Sequence, residues 1–131
     1  MKEFIKNPKP PGRTLLKQDM MLFRELLGDQ LPETRESLID PRLTMMISIG
    51  LLNRTFDLES DLVAVLGQEW LFERNAQAGE TLNIQYNIQK HKSSRKPVYL
   101  VKITLLGNGE VIGNGQWSLL LKRELEENVN V

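Results

Sequence analysis

Hydrophobic and polar residues alternate most regularly in the second half of the chain. In residues 81–90, TLNIQYNIQK, four apolar side chains share one face and amide side chains share the other; the apolar ones are Leu82, Ile84, Tyr86 and Ile88. A period of two is typical of a β-strand with one buried face. Residues 98–106 and 111–123 are predicted to be strands as well, and the sequence GNGE at 107–110 predicts a hairpin between them.

The first part of the chain has a helical period instead. Apolar residues recur every three or four positions between Thr14 and Leu27, which predicts a short amphipathic helix that Gly28 ends. Residues 33–43 are polar and contain Pro41, so we expect a loop there.

Residues 44–56, TMMISIGLLNRTF, are apolar nearly all round, which is typical of a helix at the centre of a core. The pattern over 57–66 fits either a continuation of this helix or a strand. Residues 68–76 alternate like a strand. Gly113 and Gly115 lie inside the last predicted strand, where glycine indicates a bulge or a close backbone approach.

These elements describe one helix followed by an antiparallel meander in a single domain. A chain of 131 residues is long enough for one hydrophobic core. We expect a basic N-terminal arm over 1–11, the domain over 12–123 and a frayed tail over 124–131.

Charge and composition exclude several classes of protein. Lys and Arg total 17 and Asp and Glu total 17, so no net positive field draws the chain to nucleic acid. No apolar run reaches the roughly 18 residues of a membrane span. With no cysteine and one histidine, the chain has no zinc ligand set, and we expect neither a metal nor a cofactor. The N-terminus lacks an apolar signal segment, so we expect a cytoplasmic location.

Four short segments share their order and spacing with a known protein family. Residues 28–34, GDQLPET, fall on a loop of the form G-D-x-N-P-x-H, and 48–52, SIGLL, on the start of a central helix. Residues 72–82, FERNAQAGETL, are similar to a strand that runs into a P-V-x-x-G-D-T-L turn. Residues 107–115, GNGEVIGNG, match a final hairpin. Together the segments resemble the MaoC-like, or (R)-specific enoyl-CoA hydratase, family.

The resemblance implies a fold, a ligand and an assembly. The fold is an α+β hotdog fold, in which a curved antiparallel sheet wraps around one central helix. The ligand is an acyl thioester of coenzyme A or of an acyl-carrier protein, and the chemistry is hydration or dehydration at its α,β double bond. Hotdog domains usually pair and thereby cover exposed strand edges, so we expect a homodimer or a heterodimer with another hotdog subunit.

In the family's loop an aspartate and a histidine act together on water. Asp29 stands at the aspartate position, but Thr34 stands where the histidine is expected. Hydration needs one group to accept a proton from water and another to deliver one at the α-carbon, and threonine does not titrate near neutral pH. Glu33 does titrate, so the candidate catalytic residues are Asp29, Thr34 and Glu33. Asp29 is also interpretable as a turn residue after a helix.

The resemblance also implies a ligand contact at the start of the central helix. Backbone N–H groups there would polarise the thioester carbonyl, as an oxyanion hole does, which makes Ile49, Gly50 and Leu51 candidate substrate-binding residues. Glycine inside a helix costs about 1 kcal/mol relative to alanine. Gly50 therefore needs a reason, and close packing of the helix on the sheet is the alternative one.

The single histidine, His91, falls in a predicted turn among the cations of residues 90–96. We interpret this run as a solvated turn; the alternative is a contact with the phosphates of coenzyme A or with an acidic carrier protein.

Two functions remain open from the sequence. One is a hydratase or dehydratase with an incomplete catalytic loop, and the other is a non-catalytic hotdog subunit that binds acyl chains or stabilises an active partner. A hotdog thioesterase has less support, because no carboxylate follows Gly50 on the helix before Asp57.

Overall fold

The computed structural model describes residues 4–27 and 38–125, in which an antiparallel sheet is the largest element. Its strands are β1 (Arg13–Thr14), β2 (Leu62–Phe72), β3 (Thr81–Lys90), β4 (Val98–Gly107) and β5 (Glu110–Leu121). They lie in the order β1-β3-β4-β5-β2, so β2 forms one edge. The sheet is curled, and with its helices it gives the α+β architecture expected from the sequence.

The strands predicted in the second half of the chain are confirmed. β3 pairs with β4 and β4 with β5, each antiparallel to its neighbour. On β3, the side chains of Leu82, Ile84 and Ile88 are buried, as their alternation predicts. The turn between β4 and β5 has positive φ angles at Asn108 (49°) and Gly109 (82°), which a tight hairpin turn favours.

Three helices accompany the sheet: α1 (Lys17–Leu27), α2 (Pro41–Thr55) and α3 (Leu58–Asp61). α1 begins later than predicted, because Thr14 pairs with Thr81 as part of β1. α2 begins earlier than predicted, inside the expected loop over 33–43. The ambiguous segment 57–66 holds both a helical turn and the start of a strand.

α2 is the central helix, and one of its sides is buried against the sheet. The buried residues of this side are Thr44, Ser48, Leu51, Leu52 and Thr55. The Ser48 hydroxyl donates to the Thr44 carbonyl (2.7 Å) and the Thr55 hydroxyl to the Leu51 carbonyl (3.0 Å), so both groups are buried with a partner. The expectation that this helix is covered all round is wrong, since Met46 is 51% exposed.

The glycines of β5 allow the aromatic side chains of β2 to approach closely. A Cβ on Gly115 would lie 2.6 Å from the ring of Trp70, and a Cβ on Gly113 would lie 2.7 Å from the Leu71 carbonyl oxygen. Trp70 is opposite Gly115 in the β2–β5 register. The predicted close approach is therefore confirmed at both positions.

The N-terminal segment is part of the core rather than a separate arm. Phe4 is 3% exposed, and its ring stacks on that of Phe56 with centroids 5.0 Å apart. Ile5 forms a bridge with Phe56, and the Lys6 backbone N–H donates to the carbonyl of Thr55 at the end of α2 (2.8 Å). Phe4 is thus a buried aromatic anchor within the segment expected to be a basic arm, and the domain start expected at residue 12 stays a prediction.

The last described residues also contact the domain. The backbone N–H of Leu125 donates to the Tyr99 hydroxyl (2.9 Å), and Lys90 forms an ion pair with Glu124. Residues 124 and 125, the start of the tail expected over 124–131, thus contact the domain, and residues 126–131 lie outside the described residues.

A charged cluster joins the turn before β3 to the β4–β5 hairpin. Arg74 donates to both carboxylate oxygens of Glu80 (2.7 and 2.8 Å), and Glu80 also accepts from the backbone N–H of Gln77. Glu110, an exposed residue of the hairpin, contacts the same guanidinium at 3.3 Å. The hydrogen bond from Arg74 lowers the pKa of Glu80, which keeps this buried carboxylate ionised.

Replacing Glu80 by glutamine should lower the free energy of unfolding by about 2 kcal/mol, because the hydrogen bonds from Arg74 and from the Gln77 N–H lose the negative charge that strengthens them. The matched change Glu110→Gln removes an exposed contact of the same arginine and should cost less than about 1 kcal/mol. Urea unfolding at pH 7 measures both. If the free energy of unfolding falls equally in the two variants, Glu80 contributes no more to stability than the exposed Glu110.

The same pair predicts a pH dependence. Because the folded pKa of Glu80 lies below its ordinary value of 4.5, its contribution is complete above that pH and is lost as the pH falls further. The stability difference between the wild type and Glu80→Gln should therefore shrink in acid.

Candidate functional site at the start of α2

The predicted catalytic residues Asp29, Glu33 and Thr34 lie outside the described residues. The described chain ends at Leu27 on one side of them and resumes at Leu38 on the other. Leu38 bridges to Gln77, just before β3. The described part of the candidate site is therefore the start of α2, which comes shortly after Leu38 in the chain.

Every backbone donor of the first turn of α2 has a partner within the chain or is absent. Pro41, the first helical residue, has no N–H. The N–H of Arg42 donates to the Asp40 side chain (2.8 Å), and the N–H groups of Leu43 and Thr44 donate to the Asp40 carbonyl (3.0 and 3.1 Å). Helix starts bind anions through free donors, and this one has none among these four positions.

A carboxylate already occupies this helix start. The Arg42 guanidinium donates to both oxygens of Asp40 (3.0 and 2.9 Å) and lies 5.6 Å from the centroid of the Phe23 ring. The hydrogen bond from the Arg42 side chain lowers the pKa of Asp40, so the carboxylate is ionised at neutral pH. The Arg42 guanidinium, whose side chain is 57% exposed, balances this negative charge, and the carboxylate satisfies the positive end of the helix dipole.

The expected position of Gly50 at the helix start is wrong. Gly50 lies in the second half of α2. Gly50 and its two neighbours in the sequence point in three different directions. Leu51 is buried in the core (4% exposed), Ile49 is partly buried and packs against the core, and Gly50 faces outward. Successive helical residues are about 100° apart, so the side chains of these residues point in different directions.

Close packing on the sheet does not explain Gly50 either. A Cβ built on it would meet no atom within 4 Å. Close packing is therefore not the reason for Gly50, and the substrate contact expected at Ile49, Gly50 and Leu51 stays a prediction.

The cations around His91 lie at the other end of the sheet. Ile39 donates its N–H to Ala76, near the start of β3, whereas residues 90–96 follow its end. A strand of this length spans roughly 30 Å at about 3.3 Å per residue. Lys90, the first cation of this run, also forms an ion pair with Glu124.

Asp57, the first carboxylate after Gly50, is a structural residue. It is 4% exposed, and its side chain accepts from the backbone N–H of Ser60 as the N-cap of α3. It lies beyond the C-terminal end of α2, away from the start of that helix. The described structure thus adds no support for thioesterase chemistry.

Within residues 4–27 and 38–125, no group of three or more His, Asp or Glu side chains is arranged to hold a metal ion. In the same residues no helix is long and apolar enough to cross a membrane.

Comparison by sequence finds no match: no family model and no curated protein matches the chain. Comparison by structure does find matches, over nearly the whole chain. The monoamine oxidase regulatory protein from Archaeoglobus has a TM-score of 0.68 at 19% identity, covering 93% of this chain and 92% of its own. The (R)-hydratase from A. caviae involved in PHA biosynthesis also has a TM-score of 0.68, at 13% identity and with 95% and 98% covered.

The MaoC-like dehydratase from Rhodospirillum rubrum has a TM-score of 0.67 at 17% identity, covering 95% of this chain and 96% of its own. This chain has the hotdog fold of the MaoC-like proteins. The fold expected from the four sequence segments is therefore confirmed. The feature that this chain shares with these proteins is the fold.

The residues that close the start of α2 are not among the site residues predicted from the sequence. Asp40 and Pro41 form an Asp-Pro pair, which is a common N-cap followed by the first helical residue. The polar stretch before Pro41 favours a loop instead, so the predicted helix begins too late. The Asp-Pro signal, given more weight, would have found the true start of the central helix.

Replacing Asp40 by alanine in this hotdog chain should lower the free energy of unfolding by about 1 kcal/mol, since the helix loses its cap. Because the folded pKa of Asp40 lies below its ordinary 3.8, this loss should be complete above that pH and vanish as the pH falls further. Urea unfolding from pH 7 to pH 3 checks both points. Glu25→Ala, at an exposed position of α1, is the control and should change stability by less than about 0.5 kcal/mol.

Proposed function

We propose that this protein binds acyl thioesters, carried by coenzyme A or by an acyl-carrier protein, as a subunit of a MaoC-like hotdog assembly. The fold supports the proposal, since the structures that share it include an (R)-hydratase and a MaoC-like dehydratase. The order of the four sequence segments supports the same ligand class. The cytoplasmic location expected from the sequence stays a prediction.

Two forms of this function differ in whether the bound thioester reacts. In the first, Asp29 activates water, and Glu33, or Thr34 through a water molecule, takes the place of the missing histidine. In the second, the chain binds the acyl chain or stabilises an active hotdog partner without turnover. The roles of Asp29, Glu33 and Thr34 are proposals in either case.

One observation favours the second form: the start of α2 is closed by its own residues. Hydration at the α,β double bond builds negative charge on the thioester oxygen, which hydrogen-bond donors must stabilise. Pro41 supplies no donor, and the N–H of Arg42 is held by the Asp40 carboxylate. A carbonyl that approached this helix start would find no free backbone donor in its first turn. We therefore propose a non-catalytic acyl-thioester-binding subunit.

The purified protein should bind crotonyl-CoA without consuming it. Titration calorimetry measures binding, with free coenzyme A as the control for the acyl group, and loss of enoyl absorbance measures hydration. The variant Asp29→Asn should bind as the wild type does.

Turnover by the wild type that disappears in Asp29→Asn would contradict the non-catalytic form and make Asp29 a catalytic residue. Failure to bind crotonyl-CoA, octenoyl-CoA and an octenoyl-carrier protein alike would contradict the proposal as a whole.

The edge strand β2 supports pairing, with a second copy or with another hotdog subunit. Large apolar side chains are exposed along this strand; they are Val63 (56%), Val65 (47%), Leu66 (54%) and Leu71 (67%). An exposed apolar edge strand presents unpaired backbone groups to another chain, and proteins that stay monomeric normally block such edges with charge. We propose that β2 pairs with β2 of the partner and continues the sheet.

The change Leu71→Lys should weaken this pairing, because two copies would bring like charges together at the edge. Sedimentation equilibrium should show a shift from dimer to monomer, with an unchanged far-ultraviolet circular dichroism spectrum. Val111→Lys replaces a similarly exposed side chain (45%) outside β2 and should leave the dimer intact. If Leu71→Lys leaves the dimer intact, as Val111→Lys is expected to, the result would contradict pairing through the edge strand β2.

A further inference from the structure

The tripeptide Gly-Asn-Gly occurs twice in the chain, at 107–109 and at 113–115. An asparagine that precedes glycine can react with the chain itself, because glycine has no Cβ to shield its backbone nitrogen from the asparagine side chain. The two tripeptides have the same local chemistry, with glutamate after the first and glutamine after the second. A large difference in reactivity between them must therefore come from the structure around each one.

The first tripeptide ends at the exposed tip of the β4–β5 hairpin. Gly107 pairs with Glu110, and Asn108 and Gly109 form the turn between them. Both turn residues are exposed. A Cβ built on Gly109 would meet no atom within 4 Å, so the space beside this part of the backbone is open.

The second tripeptide lies in the interior of β5. Asn114 and Gly115 each have a partner in β4 on one side and in β2 on the other. Gly115 is buried, and a Cβ built on it would lie 2.6 Å from the ring of Trp70. Ladder hydrogen bonds on both sides hold a central strand in its extended conformation. The strand must therefore open before the backbone at Asn114 can rotate.

Asn108 also has a backbone donor on its side-chain oxygen. The Thr81 N–H donates to Asn108 Oδ1 (2.8 Å), and the Asn108 N–H donates to the Thr81 carbonyl (3.0 Å). Attack on the amide carbon Cγ builds negative charge on Oδ1. A donor at hydrogen-bond distance from that oxygen stabilises the charge, as it does in an oxyanion hole.

We infer that Asn108 is a site of spontaneous deamidation and that the fold protects Asn114 from the same modification. The backbone nitrogen of Gly109 attacks Cγ of Asn108, and the bond from Cγ to the amide nitrogen breaks. The proton of the attacking nitrogen leaves with the amide as ammonia, and a cyclic succinimide remains. Water then adds to one of the two ring carbonyls and opens the ring, which gives aspartate or isoaspartate. This modification is independent of the acyl ligand proposed above.

Deamidation would change a contact that joins the hairpin to the start of β3. Aspartate at this position keeps an acceptor for the Thr81 N–H but adds a negative charge near Glu80. The Glu80 carboxylate already lies close to the hairpin, since a Cβ on Gly107 would be 2.7 Å from one of its oxygens. Isoaspartate also adds one carbon to the main chain of a tight two-residue turn, whose geometry fixes the register of the strands.

The two asparagines can be followed separately in one sample. The folded protein is incubated in mildly alkaline buffer, digested and analysed by mass spectrometry with electron-transfer fragmentation, which locates each modified residue and separates isoaspartate from aspartate. Deamidation at Asn108 should be about tenfold faster than at Asn114, or more, since ladder hydrogen bonds must break before Asn114 can react. In concentrated urea, where the fold is lost, the two rates should be similar.

The variant Asn108→Gln should remove the fast reaction, because glutamine would have to close a larger ring. The matched change Asn114→Gln should leave it unchanged. In the wild type, the rate at Asn108 should fall in mildly acidic buffer, because the attacking nitrogen must lose its proton.

Equal rates at the two asparagines of the folded protein, or a faster rate at Asn114, would overturn the inference. An Asn108 that reacts in urea but stays intact in the folded protein would also overturn it. A difference of the same size in urea would show that the local sequence and not the fold sets the rates, and would overturn the protection of Asn114.

Discussion

Burial of one side of α2 against the inner face of the curled sheet is the interaction on which the rest of the molecule depends. Leu51 and Leu52 contribute apolar area from the helix, and Val101, Leu105 and Leu119 are among the fully buried side chains of the strands. Burying a side chain of this size contributes about 1.5–3 kcal/mol. The N-terminal segment and the last described residues then pack around this centre.

The same packing fixes where the helix starts and what its start can do. Once α2 lies along the sheet, its first turn falls beside the segment before β3, and Asp40 becomes its cap. A capped start with Pro41 in first position is stable, but its first turn offers no free backbone donor to a ligand. The N–H groups of this helix start can either be capped by the chain itself or polarise a thioester carbonyl. In the described residues they are capped.

The strands could be predicted from the sequence because their burial is local. The alternation in residues 81–90 reflects one buried and one solvated face, and no distant contact is needed to see it. Phe4 could not be assigned in this way, because only contact with Phe56 shows that it is buried. The role of Gly50 was misjudged for a related reason: a glycine at the start of a helix, a packed glycine and an open glycine look alike until the surrounding atoms are known.

The fold could be predicted because four segments, each only loosely similar to a family motif, occur in the order that the family has. The site could not be predicted. Its predicted catalytic residues, Asp29, Glu33 and Thr34, lie outside the described residues, and the closed helix start depends on how Asp40 and Arg42 pair in three dimensions.

The vibrational frequency of a bound thioester carbonyl tests this closure most directly, since hydrogen-bond donors lower the frequency of the C=O stretch. Infrared difference spectra of crotonyl-CoA labelled with carbon-13 at the carbonyl should show a bound ligand whose stretch is not lowered by binding. A clear shift to lower frequency in the bound state would show that the protein polarises the carbonyl, and would contradict a closed, non-catalytic site.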